Sequence, residues 1–308
     1  MVGIKDAAKS KKVSMNKSSD RRFAYLMLLP AALIVVAVVL YPFIYNLIIS
    51  FSNMSMRHFS DWKIIGFEQY AKVFGEKLFY SVFAKTVVWT VVNVFFHVTI
   101  GVFLAMLLNR SLPGKGIFRT LLIIPWAMPQ YIAALTWRGM FNYQYGAINL
   151  IITKYLAMTP VEWLKSPFEA FSACILTNIW FGFPFMMIIA LGGLQSIDKS
   201  LYEAAEVDGA SRWQQFWKIT VPLLRPVMVP AIVLGTIWTF NNLNVMWLVS
   251  NGGEPADQTH ILVSYVYKAA FNLYRYGYAA AFSVVIFVIL LVFSILFVKR
   301  TKGTEAAY

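Results

Sequence analysis

Six long apolar runs punctuate this chain, at residues 23–51, 87–108, 120–141, 168–194, 223–249 and 278–298. Each lies near the roughly 20 residues that carry an α-helix across a bilayer. The predicted fold class is therefore all-α: a polytopic membrane protein with about six transmembrane helices. Composition agrees, because 59% of the 308 residues are hydrophobic, where soluble domains stay nearer half. Glycine and proline inside the runs also suit membrane helices better than soluble ones.

The remaining segments are polar and set the organisation. Residues 1–22 form a lysine-rich tail whose composition predicts disorder. The run at 23–51 is too long for the core of a signal peptide, and no small-residue cleavage site follows it. It reads as an uncleaved first span, bent near Pro42. Residues 52–84 are aromatic-rich, with breaks at Gly66 and Gly75, and read as an extracytoplasmic segment. A five-helix core is expected at 85–299, with a polar cytoplasmic loop at 195–222 and a short tail at 300–308. Of 27 Lys and Arg, 17 fall in the two tails, the 110–119 loop and the polar loop through Arg225, and 10 in the alternate segments. The positive-inside rule then predicts that both termini and the polar loop are cytoplasmic, and that residues 142–167 lie outside. The net charge of +13 suits an anionic membrane surface. Nucleic acid is not expected, because the basic residues border apolar runs and form no separate domain. The single cysteine, Cys174, lies in an apolar run and reads as a packing residue.

The polar loop reads EAAEVDGASRWQQFWKITVP from Glu203 to Pro222. Ser200 with Glu203, and Ser211 with Gln214, have capping-box spacing, so a helix, a turn and a second helix are expected. Gly209 suits the left-handed residue that stops the first helix. Trp213, Phe216, Trp217 and Ile219 share one face of the second. Pro222 is expected to end it. On spacing alone the loop is either an amphipathic connector or a docking element.

The order of Glu203, Ala204, Ala205, Asp208, Gly209, Ala210, Phe216, Ile219 and Pro222 resembles the EAA loop of importer-type ABC transporter permeases. NIWFGFPFMM before the loop and WTFNNLNVMWLVSNGG after it look like the larger permease subunit of maltose-type importers. The resemblance runs from about Phe79 to Val298. It implies the type I ABC importer permease fold in the cell membrane of a prokaryote. It also implies a second, related permease subunit, two ATP-binding subunits, an extracytoplasmic solute-binding protein and a sugar substrate, with lipid around the spans. The loop, through Glu203, Ala204, Ala205, Asp208, Gly209 and Arg212, would couple to the ATPase.

The chemistry that is missing points the same way. Gly114-Lys115-Gly116 lacks the spacing and hydroxyl of a Walker A loop. The chain is expected to be a transport subunit and not an enzyme, needing no cofactor of its own, with ATP and magnesium held by the partner ATPase. His97 is the one clear ionisable group in mid-span, and no acid neighbours it in sequence. A lone histidine on a packed helix is more often a hydrogen-bonded core residue than a proton relay, which weakens an ion-coupled carrier. Three His and one Cys, widely spaced, carry no metal signature.

Two helical faces could meet a sugar. Asn178, Phe181, Gly182 and Phe185 recur at three- and four-residue spacing, as do Gly235, Trp238, Thr239 and Asn242. Aromatic faces suit sugar rings, and amides both donate to and accept from hydroxyls. Gly182 is expected to leave room on its face. From spacing alone, close helix packing is the favoured reading of both faces. In maltose-type permeases these positions line the sugar site, so the resemblance implies a sugar-binding role for all eight. Phe181, Phe185, Trp238 and Thr239 depart from the maltose pattern, which points to another oligosaccharide. The remaining alternatives are a permease for glycerol phosphate or another polyol, an ion-coupled carrier and a membrane scaffold. A phosphate would call for Arg or Lys on the two faces, and neither has one.

Overall fold

The computed structural model describes residues 17–301. Most of the expected tail at 1–22, and all but the first two residues of that at 300–308, lie outside the described residues. The chain divides into two compact units, Met1–Ile48 and Ile49–Tyr308. In the first, α1 (Lys17–Val35) passes through a π-helical turn at Val36–Leu40 into α2 (Tyr41–Ile49). The π turn occupies the place where a bend near Pro42 was expected. A proline has no N–H to give and its ring presses on the carbonyl four residues back. Opening the register one turn earlier, with Tyr41 N–H bonded to Val36 O, makes room for it.

The second unit holds α3 (Glu68–Gly75), α4 (Lys77–Asn109), α5 (Lys115–Ala127), α6 (Gln130–Met140), α7 (Ala147–Leu156) and α8 (Pro167–Ser196). It continues through α9 (Lys199–Val207), α10 (Arg212–Gln215), α11 (Val221–Phe240), α12 (Leu243–Val249), α13 (Leu262–Phe271) and α14 (Tyr276–Thr301). Among the described residues no strand forms, apart from one bridge between Ser52 and Ile64. Five helical runs are long and apolar enough to cross a membrane, and α5 with α6 makes a sixth if the bent pair counts as one span.

The boundaries differ from the sequence reading in four places. The second span begins at Lys77 rather than Val87, so α4 takes in the last residues of the 52–84 segment. The third is two helices meeting at 94°. Met128, ahead of Pro129, is driven out of the helical region (ψ 142°) by the proline ring, and α5 stops there. The fifth breaks at Asn241–Asn242. Pro222 does not end the helix of the polar loop: the chain stays helical from Arg212 to Phe240. A π turn at Phe216–Thr220 precedes Pro222 as the other precedes Pro42, and again absorbs the missing donor.

In lipid, helices associate through close packing and polar contacts rather than through the hydrophobic effect. The central pair, α4 and α8, runs parallel: Trp89 meets Phe171, His97 meets Asn178 and Gly101 meets Met186. A Cβ on Gly101 would lie 2.7 Å from Met186 Cβ and 2.8 Å from Met187 N, so this crossing needs glycine. Trp89 of α4 and Cys174 of α8 belong to one core cluster with Val245 and Ile261. Ala105, Met187, Leu191 and Leu224 belong to a second. A cavity opens between the two.

Candidate functional site

That cavity has a volume of about 450 Å³. The face of α8 supplies Asn178, Phe181, Gly182 and Phe185 to its wall, and α11 supplies Gly235, Trp238 and Thr239. Asn242 joins them at the break between α11 and α12. The structure thus brings all eight residues of the two faces onto one space. Asn242 caps α12, its Oδ1 accepting from Val245 N–H at 3.2 Å, while its Nδ2 donates to Asn178 Oδ1 at 2.7 Å. Asn178 Nδ2 is buried and has no hydrogen-bond partner among the described residues. It is a donor turned inward without an acceptor, which is costly unless something fills the role.

Gly182 does not leave empty space for a ligand. A Cβ there would sit 2.1 Å from the His97 ring, so the imidazole occupies that room. His97 Nε2–H donates to the Asn178 main-chain oxygen at 2.9 Å, which makes it the packed, hydrogen-bonded histidine expected from the sequence. At Gly235 the neighbour is the flexible tip of Met186, 2.4 Å from a built Cβ. Thr239 is buried, and its carbonyl accepts from Trp89 Nε1 at 2.8 Å.

One wall is aromatic. Phe185 lies 5.1 Å from Trp238 and 6.2 Å from Trp126, centroid to centroid. Trp126 escaped the sequence reading, as did Gln130, Asn241 and Asn244. Gln130 Oε1 accepts from Asn244 Nδ2 at 3.0 Å, joining the break before α6 to the one before α12. A signal for them was present: Trp126 follows Pro125, which α5 carries within it, Gln130 follows Pro129 at the break, and three asparagines crowd residues 241–244. Among the described residues, no Lys, Arg, Asp or Glu lines the cavity.

The polar loop is a second, separate feature. Asp198, not Ser200, caps α9: its Oδ1 accepts from Ser200 N–H at 2.9 Å. That bond holds the carboxyl below the usual Asp range. Asp198 takes the cap because it lies just outside the helix in extended backbone, whereas Ser200 is already within it. Gly209 has φ +77°. Its N–H donates to Glu206 O at 3.0 Å and that of Ala210 to Ala205 O at 2.8 Å, the paired bonds of a Schellman stop. The capping box of Ser211 and Gln214 is present in both directions, at 2.8 and 3.3 Å. The hydroxyls of Tyr202 and Thr220, 2.9 Å apart, tie α9 to the π turn. Glu203, Ala204, Asp208, Gly209 and Arg212 are exposed, and Ala205 is half-buried. Trp213 and Trp217 stand out beside them, 69% and 52% exposed and outside the core.

A helical bundle of membrane-spanning length, a central polar cavity and a capped polar loop together define a membrane transport subunit. The chain belongs to the family of binding-protein-dependent transport system inner membrane components, whose model matches residues 97–300. It is 36% identical over 285 residues to the trehalose/maltose transport system permease protein of Thermococcus litoralis, covering 92% of this chain and 95% of that one. It is 34% identical to the galactooligosaccharides transport system permease protein of Bacillus subtilis, covering 91% and 70%. The maltose/maltodextrin permease of Klebsiella aerogenes is 37% identical, with 77% of this chain matching 49% of that protein. Among solved structures, a bacterial ABC transporter involved in import of the acidic polysaccharide alginate superposes with a TM-score of 0.80. Its identity of 22%, over 94% of this chain and 99% of that one, speaks for the fold. The chain is therefore an ABC importer permease, a transport subunit and not an enzyme, in a membrane.

Proposed function

We propose that this permease passes a neutral sugar or short oligosaccharide through the cavity between α8 and α11. The observation that carries the reading is the wall itself: amides of Asn178 and Asn242 and rings of Phe185 and Trp238, with no charged side chain among them. Amides match hydroxyls, aromatic faces match sugar rings, and a phosphate would need a cation that is missing here. The relatives named for maltose, trehalose and galactooligosaccharides support the same class. Energy is supplied by two ATP-binding subunits that hold ATP and magnesium and dock on Glu203, Ala204, Ala205, Asp208, Gly209 and Arg212. A second permease subunit completes the pathway, and an extracytoplasmic binding protein delivers the sugar. ATP binding draws the coupling loops together and opens the cavity outward, and hydrolysis returns it inward. Both termini and the coupling loop face the cytoplasm.

The test is a substrate panel on the reconstituted importer, reading stimulation of its ATPase. Neutral di- and oligosaccharides should stimulate, with glycerol phosphate inert. Stimulation by glycerol phosphate alone, or uptake driven by a proton gradient without ATP, would refute the reading.

A further inference from the structure

We propose that a cationic pocket between residues 53–57, α3 and the start of α14 receives acidic side chains of the soluble binding protein. The inference rests on the reading that such a protein delivers the substrate and that this segment faces outward. The pocket measures about 560 Å³, and Arg57, Lys72 and Arg275 reach it from three separate segments.

The pocket is a built feature. Met56 N–H donates to Tyr274 O at 3.0 Å and Gly277 N–H to Met54 O at 2.8 Å, so the two loops are stitched by their backbones. The Gln69 amide donates to Ser52 O at 2.9 Å. A Cβ on Gly277 would lie 2.3 Å from Ser52 O, so the approach requires glycine. The Arg275 guanidinium rests 4.0 Å above the Tyr278 ring, and its Nη2 is 3.7 Å from Glu76 Oε1. Glu76 Oε2 already accepts from Tyr278 OH at 2.7 Å. Among the described residues, neither Arg57 nor Lys72 has a carboxylate within ion-pair reach. Three cations thus face one engaged acid, on the side of the membrane where Lys and Arg are scarce.

A lipid phosphate is the competing anion, and the shape of α3 disfavours it. Gln69 and Lys72 face the pocket, whereas Tyr70 and Phe74, on the other side of α3, line a separate apolar groove with α14. A lipid head in the pocket would have α3 between it and that groove. Carboxylates on a soluble partner need no such path. Opposed charge at the rim of an interface chiefly speeds encounter and fixes register.

The experiment titrates sugar-loaded binding protein against ATPase activity of the complete importer in nanodiscs, at low and high salt. Arg57→Glu/Lys72→Glu is compared with Arg57→Gln/Lys72→Gln and the native chain. Both side chains are exposed, so the fold is spared, and basal ATPase activity checks assembly. The half-maximal concentration of binding protein should rise about tenfold in the Glu variant and less in the Gln variant, with weaker salt dependence. The maximal rate should hold. Unchanged half-maximal concentration and salt dependence would overturn the proposal. A defect confined to discs containing phosphatidylglycerol, absent in phosphatidylcholine alone, would assign the pocket to lipid and overturn it too. A native complex that no binding protein stimulates would sink the delivery reading itself, and this inference with it.

Discussion

At the scale of single residues, the cavity is governed by two positions whose roles differ from their appearance in the sequence. Gly182 is small because His97 fills the space beside it, and the ring then bonds the Asn178 backbone. Gly182→Ala should force the ring out and part α4 from α8, at a cost of about 1–3 kcal/mol. Thermal unfolding of the purified complex would show it, and adding His97→Ala should recover part of the loss by vacating the space. If Gly182→Ala melts like the native chain, the packing account is wrong. Asn242 serves both helix and cavity. Asn242→Leu removes a helix cap worth about 1 kcal/mol and a hydrogen bond of similar size. It should lower both the melting temperature and sugar transport. Asn242→Ser keeps a capping acceptor but loses the amide donor toward Asn178, without adding a charge. It should restore stability while transport stays low. Equal recovery of both would make Asn242 purely structural.

At the scale of elements, what could be read in advance was what is written in local spacing. The two faces were legible because an α-helix puts residues three and four apart on one side. The helix-turn-helix form of the polar loop was legible because caps and a left-handed glycine are local chemistry. Helix interruptions were harder. Pro42 and Pro222 looked like a bend and a stop, yet each is carried by a π turn that ends two residues before it. The break at Asn241–Asn242 depends on a side chain that caps the next helix while reaching across to α8, a contact 64 residues away in sequence. Trp126 and Gln130 join the cavity only because α5 and α6 meet at 94°. No periodicity within either helix reveals that angle. For the coupling loop itself, Gly209→Val places a β-branched residue at φ +77°, a region such residues rarely occupy. ATPase subunits should then bind weakly, or hydrolyse ATP without transport, as read by co-purification and by uptake in liposomes. Normal transport with normal coupling would remove the docking role from the loop.

At the scale of the whole molecule, orientation and pathway must agree. Cysteines at Lys115 and Thr301 should be labelled only from the cytoplasm, and one at Lys154, exposed on α7, only from outside. Cys174 is buried and should stay silent. Labelling of positions 115 and 154 from the same side would undo the topology on which both the coupling loop and the outer pocket depend. The central claim is that a neutral sugar crosses the membrane against the aromatic and amide wall between α8 and α11. It is tested most directly by measuring, in the same proteoliposomes, uptake of radiolabelled oligosaccharide and basal ATPase activity, with Trp238 native or changed to Ala. Trp238 is half exposed to the cavity and braces little of the core, so assembly should survive its loss. Removing a stacking surface of this kind, worth about 1–1.5 kcal/mol, should cut sugar uptake roughly tenfold and leave basal hydrolysis intact. Uptake and substrate preference that match the native chain would contradict the account and return these faces to helix packing.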